Sequence, residues 1–169
     1  MNFLKIYSGV LVSSREAIGG NFIPHFTNLF TSSNPLIEIE MLDLFSLVIT
    51  DEENVTLSTP PTKEETLEAL TSLGSIKAPG HDGFTTLFYK KYWNLIKKDV
   101  MVCIEHFFIN NRLQRGHNHS FIALVPKLSG SHIAHQFKPI SLCNIVYKII
   151  SKILANRLKF LLPKIISPL

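Results

Sequence analysis

Lys148, Lys152, Asn156 and Lys159 follow one another at intervals of four, four and three residues. At 3.6 residues per turn they fall within one narrow sector of a helix. Three ammonium groups and an amide in a row hold phosphate oxygens well but cannot by themselves make or break a bond. Ile149, Ile150, Ile153, Leu154, Phe160 and Leu161 fill the opposite side, so the same helix has an apolar back. Arg157 falls on that apolar side and must snorkel or find a partner. The spacing predicts a helix from about Asn144 to Leu162, ended by Pro163.

Other residue types with chemical potential do not assemble into a site. His117, His119, His132 and His135, with Cys143, match no common zinc spacing, and there is no CxxC pair. No Gly-x-Ser-x-Gly elbow is present, and Lys77–Gly83 (KAPGHDG) has too few glycines and no Lys-Ser/Thr ending for a phosphate-cradling loop. Glu64, Glu65 and Glu68 are explained as the solvated face of a well-patterned helix and partners of its dipole. No residue is assigned as catalytic or as a metal ligand.

The charge is divided along the chain. Residues 1–83 hold four Lys and Arg against eleven Asp and Glu; residues 84–169 hold thirteen against two. A basic half with five His and several aromatics suits a polyanion, most simply nucleic acid, and suits equally a solvated basic face. At 169 residues, 46% hydrophobic and 18% charged, the chain can bury a core. Twelve Phe imply an aromatic core or a surface that expects a partner. Cys103 and Cys143 sit in apolar runs and read as buried thiols of a reducing compartment. The N-terminus lacks the basic region of a signal peptide, and no apolar run reaches membrane-spanning length. The expectation is a soluble intracellular protein.

The elements that would position the basic residues follow from local signals. Phe3–Ile6 and Val10–Val12 flank Tyr7-Ser8-Gly9 as a small hairpin. Ser14 caps a helix to about Phe30, with Ile18, Phe22, Phe26 and Phe30 on one face and a break expected at Pro24. Thr31–Pro35 is a turn-rich linker. Thr50-x-x-Glu53 and Thr62-x-x-Glu65 are capping-box patterns; the second opens a helix with Leu67, Leu70 and Leu73 inward and Gly74 as its stop. Pro79-Gly80 forces a turn and Asp82-Gly83 forms an Asx-type turn. Residues 84–111 are helical, interrupted near Lys98-Asp99, with Phe84, Leu87, Phe88, Trp93, Ile96, Val100, Ile104, Phe107 and Phe108 as the buried stripe. Phe121–Val125 and Phe137–Leu142 form a β-hairpin whose arms carry Lys127 and Lys138. The fold class is α+β, mainly helical with a β-hairpin.

Four segments in order, PTKEETLEALTSLGSIKAPGHDGF, LFYKKYWNLIKKDV, HSFIALVPK and FKPISLCNIVYKIISKILANRLKFLLPKIIS, resemble the plant-type reverse transcriptase of LINE (non-LTR) retrotransposons. The resemblance runs from about Phe22 to the end and is strongest from Thr62. It implies a linker-like segment over 1–61 and a partial polymerase domain over 62–169, similar to the fingers and start of the palm of a right-hand polymerase. Lys127 matches the Lys of the family's Ile-Pro-Lys motif. Lys138 matches a position usually held by Arg, keeping the charge but losing bidentate phosphate geometry. Both are implied to grip the incoming nucleotide. Lys148, Lys152 and Lys159 are implied to hold nucleic acid, while Pro79, Gly80, Asp82 and Gly83 match a structural turn in which His81 replaces the usual Pro.

The family's palm uses Asp residues to hold two Mg²⁺ ions. Across residues 84–169 the carboxylates are Asp99 and Glu105 alone. The expectation is a fragment that uses no cofactor itself and does not polymerise. It would bind RNA or RNA/DNA hybrid weakly and without sequence preference, and pack against the remainder of a polymerase domain. No membrane is involved, and the location is nuclear or cytoplasmic. Two alternatives stand beside it: a co-opted nucleic-acid-binding module, and a translated relic without function.

Overall fold

The computed structural model describes residues 4–5, 11–34 and 48–166. Two short strands, β1 (Leu4–Lys5) and β2 (Leu11–Val12), pair antiparallel with Leu4 opposite Val12. The turn predicted between them lies outside the described residues. Among the described residues six α-helices follow: α1 (Arg15–Phe30), α2 (Asp51–Ser58), α3 (Lys63–Ser72), α4 (Thr86–Lys91), α5 (Trp93–Asn110) and α6 (Ile145–Ile165). Strands β3 (Ser120–Pro126) and β4 (Phe137–Cys143) pair between α5 and α6. The class is α+β with helices dominant, as the sequence implies.

The chain forms two compact units. One comprises residues 1–45 with 122–140; the other comprises 46–121 with 141–169. The first unit is built on α1. Ser14 caps it, its side chain accepting from Ala17 N. Phe22 and Phe26 are buried with Ala134 and Phe137, and Phe22 meets Phe137 edge-on at 5.3 Å between ring centroids. Pro24 does not break this helix. Phe22 and Phe26, either side of it, are both anchored in one core, and that packing outweighs the hydrogen bond that proline forfeits. Phe30, expected on the same face, is exposed. Lys127 N donates to Gln136 O at 2.8 Å and closes the tip of the β3–β4 hairpin.

The second unit holds the larger core: Ala69, Leu70, Tyr89, Trp93, Val100, Ile104, Phe108 and the α6 residues Ile145, Val146, Ile149, Ile150 and Ile153. Ile145, Ile149 and Ile153 are fully buried at four-residue spacing, so α6 is the central element. The interruption between α4 and α5 falls at Tyr92 (φ −104°, ψ 17°), not near Lys98-Asp99. The stripe Trp93, Val100, Ile104, Phe108 runs through residues 98–99 without a change of phase, so nothing there favours a break. Ahead of Tyr92, Tyr89 is buried in the same core and Phe88 packs against it, but Phe84 and Leu87 are exposed rather than core.

Three further expectations are corrected. Gly74 does not stop α3; the helix ends at Ser72 with Leu73 extended. The ammonium of Lys90 takes over the C-terminus, donating to Thr71 O (2.9 Å), Leu73 O (2.6 Å) and Ser75 Oγ (3.2 Å). Pro163 does not end α6, which runs on to Ile165. In the last turn a proline sacrifices one bond while the following N–H groups still reach back, as Ile166 N does to Leu162 O. Phe160 is 80% exposed instead of buried.

Candidate nucleic-acid interface

The N-terminal end of α6 is where the loop of residues 77–84 meets the basic stripe. Asn144 occupies the N-cap position, the usual place for a side chain that accepts from the helix's own first N–H groups. Its side chain serves two distant loops instead. Oδ1 accepts from Asp82 N at 3.3 Å and Nδ2 donates to Gly116 O at 3.1 Å. Asn144 is 2% exposed, so its side chain turns to these two backbone groups rather than to water. Gly80 lies flat against this junction: a Cβ there would stand 2.5 Å from Asn144 N and 2.6 Å from Cys143 C, and only glycine permits the approach.

The turn beyond is held by its own residues. Gly83 N donates to Gly80 O at 3.2 Å, Gly83 has φ +74°, and Asp82 Oδ1 accepts from Phe84 N at 3.1 Å. Lys148, one turn into α6, donates from Nζ to Ala78 O at 3.1 Å. Its charge therefore sits at the 77–84 loop, half-buried, with two protons of its ammonium group left over for other acceptors. Lys152 is half-buried on the next turn.

Lys159 has different surroundings. With Asn156 and Arg157 it lines a groove of about 910 Å³ that also carries Glu52, Glu53, Glu65 and Glu68. A phosphate approaching Lys159 from that side would meet four carboxylates. Arg157, which the sequence left without a partner, makes four hydrogen bonds. Nε donates to Glu65 Oε1 and Nη2 to Glu65 Oε2, both at 2.7 Å. Nη1 donates to Leu57 O (3.0 Å) and Thr59 O (2.6 Å), and Phe108 lies under the guanidinium at 5.1 Å from Cζ to ring centroid. Glu65 is thus not on a solvated face, unlike the exposed Glu64 and Glu68. Its engagement also explains the half-made capping box at Thr62. The Thr62 side chain accepts from Glu65 N at 3.1 Å, but the Glu65 carboxylate turns to Arg157. At Thr50 the box is complete, and Glu53 additionally pairs with Lys164.

Lys127 and Lys138 belong to the first unit. Lys127 is exposed and donates from Nζ to His135 O at 2.8 Å across the hairpin tip. Lys138 is exposed on β4, on the face opposite the buried Phe137.

The carboxylates of the basic half stand apart from one another. Asp99 and Glu105 are exposed on α5 and six residues apart, a spacing that does not bring side chains together on a helix. Asp82 is committed to its turn. Among the described residues no three His, Cys, Asp or Glu side chains are grouped to hold a metal. His117 meets Cys103, Nε2 to Sγ at 3.3 Å. Burial, with Asp99 nearby, pushes the Cys103 thiol up. Among the described residues no helix is long and apolar enough to cross a membrane.

Among the described residues, Lys148 and Lys152 stand on a mainly helical α+β unit beside the loop of residues 77–84. No family model matches the chain. It is similar to a Xenopus laevis protein, the transposon TX1 uncharacterized 149 kDa protein, at 28% identity over 162 residues. That alignment takes in 95% of this chain and 12% of the length of that protein. The chain is therefore related to a protein of a transposable element.

Proposed function

We propose that this chain is part of a LINE-type, non-LTR retrotransposon reverse transcriptase. It supplies the fingers and start of the palm and grips RNA or an RNA/DNA hybrid without itself joining nucleotides. The observation that carries the reading is the transposon likeness spanning 95% of the chain. The order of the four motifs quoted above supports it. The plant-type subgroup belongs to the same proposal; the relative above is amphibian. Lys148 and Lys152 are the first phosphate contacts in this reading, Lys127 and Lys138 hold the nucleotide, and Lys159 contributes least because of the glutamates around it. The surrounding polymerase would be the second partner, Mg²⁺ would be held by carboxylates other than those described here, and the compartment is intracellular, nuclear or cytoplasmic.

Primer extension on an RNA template with Mg²⁺ tests the catalytic half: no product is expected from this chain, and measurable synthesis overturns it. Electrophoretic mobility shift with RNA tests the binding half. The wild-type chain should shift RNA at low salt, losing affinity steeply as salt rises. Lys148→Glu combined with Lys152→Glu should abolish the shift. A second reading, a free-standing nucleic-acid-binding module, is favoured by one observation: the second unit closes its own core around α6. A monomer that unfolds cooperatively would favour it, whereas a polydisperse, protease-sensitive product would point to a relic.

A further inference from the structure

Three aromatic rings meet at the surface beside the Asn144 junction. His81 lies 5.6 Å from His119 between ring centroids, nearly perpendicular to it, and 5.2 Å from Phe121 at an interplanar angle of 43°. Both histidines are exposed and Phe121 is 54% exposed. The cluster therefore buries little area, and core packing does not account for it. Its rings come from two segments, and one residue holds both in place. Asn144 accepts from Asp82 N, next to His81, and donates to Gly116 O, three residues before His119. Each segment also carries a positive charge: Lys148 donates to Ala78 O, three residues before His81, and the exposed Arg115 precedes Gly116.

We propose that His81, His119 and Phe121 form a stacking platform for unpaired bases of a single-stranded nucleic acid, with Lys148 and Arg115 placed to meet the phosphates that flank them. Every base has a π-face, so such a platform needs no sequence preference. Aromatic stacking next to cations is how surfaces of this composition hold single strands. A duplex keeps its bases stacked internally and gains nothing from these rings. This proposal rests on the nucleic-acid reading above and adds to it the class of strand and the residues that choose it.

The test is fluorescence anisotropy with a labelled twelve-nucleotide oligouridylate, a matching oligothymidylate and a twelve-base-pair RNA duplex, on the full chain. Phe121→Leu keeps the apolar volume but removes the π-face. It should weaken binding of both single strands roughly fivefold to a hundredfold. It should leave duplex binding and the slope of log affinity against log salt unchanged, since no phosphate contact is lost. His81→Leu should act in the same direction. Phe121→Trp should bind at least as well as wild type, and its emission should be quenched by the oligonucleotides, against the background of the buried Trp93. Single-strand binding by Phe121→Leu within twofold of wild type, while the Lys148→Glu, Lys152→Glu variant loses binding, would overturn the platform and leave the wider reading intact. Equal losses on single strand and duplex overturn it too. If Phe121→Leu does not fold, an unquenched Phe121→Trp decides against the platform. A wild-type chain that binds none of the three probes at low salt overturns both proposals.

Discussion

The two ends of α6 use polar side chains in opposite ways. At the N-terminal end, Asn144 binds only backbone groups, and the ammonium of Lys148 rests on a single carbonyl. At the C-terminal end, Arg157 and Lys164 are paired with Glu65 and Glu53 of the acidic first half. The charge asymmetry along the chain is therefore partly answered inside the molecule. A count of thirteen basic residues against two overstates what is offered to a polyanion. At the N-terminal end Lys148 stands at the 77–84 loop with no carboxylate partner among the described residues, whereas the groove at the other end is lined by four glutamates.

The largest effect should come from cutting the internal pairing. Arg157→Ala removes a side chain that is 11% exposed and leaves Glu65, 30% exposed, without its cation in a groove with three other glutamates. Removing one partner of a buried pair costs about 3–5 kcal/mol, and the partial exposure of Glu65 places this one near 3. Urea denaturation should show that loss with an unchanged m-value. Arg157→Lys should keep only part of that stability, because Lys cannot span both carboxylate oxygens and two carbonyls. If Arg157→Ala costs under about 1 kcal/mol, the C-terminal end is not the internally committed one and the contrast fails.

A pH experiment probes the other end. Tyr89 is 9% exposed, and burial, with Asp82 and Cys103 nearby, raises its phenol to about 12 from an ordinary 10.0. An acid with a raised folded pKa keeps its proton longer in the native state than in the unfolded one. Its contribution is thus fully present below pH 10 and is lost as pH climbs to about 12, by up to 2–3 kcal/mol. Tyr89→Phe should flatten that alkaline decline in ΔG of unfolding relative to wild type. Parallel declines would mean that the phenolate is accommodated.

How much of this was legible in the chain depends on whether the cause is local. Ser14, Thr50 and Thr62 announce helix starts because a cap is chosen by residues three apart. The apolar back of α6 is legible because its spacing is regular, and the Asx turn at Asp82 because one side chain and one backbone group make it. Partners far along the chain were not legible. Glu65 and Arg157 are ninety-two residues apart, and the local pattern at Glu65 points to a capping box with Thr62, not to Arg157. The same holds for Lys90 at the end of α3, and for Asn144, whose position signals a cap that its side chain does not make. Pro24 shows the converse: a strong local signal for a break, overruled by two anchored phenylalanines. Three rings from two segments, His81, His119 and Phe121, have no sequence signature at all.

Loosening the Asn144 junction should cost less than cutting Arg157. Asn144→Ala deletes two long-range hydrogen bonds, and the Asp82 N–H and Gly116 carbonyl lie near enough to solvent to be partly rehydrated. A loss of about 1–2 kcal/mol is expected. Gly80→Ala reaches the same junction by collision and should cost about 1–3 kcal/mol. Both should reduce RNA affinity out of proportion to stability, since they move the loop on which Lys148 rests. If RNA affinity is unchanged at a temperature where both variants are folded, the loop does not shape the binding surface.

The smallest effect sharpens the contrast within the C-terminal end itself. Lys164 and Glu53 pair across exposed surface, the lysine side chain 50% accessible. The Glu53 carboxyl is held below the usual carboxylate range first by Lys164 and then by the Thr50 N–H. That second bond belongs to the capping box and survives when the lysine is removed. Lys164→Ala should therefore lower the urea midpoint only slightly at low salt, and not at all near 1 M NaCl, where the screening length falls to about 3 Å. Arg157→Ala should keep its full penalty there, because its partners are carbonyls and a carboxylate held against the protein at 2.6–3.0 Å. If salt erased both penalties alike, the guanidinium would be a surface charge like the lysine, and the division between the committed and the outward-facing end of α6 would lose its physical basis.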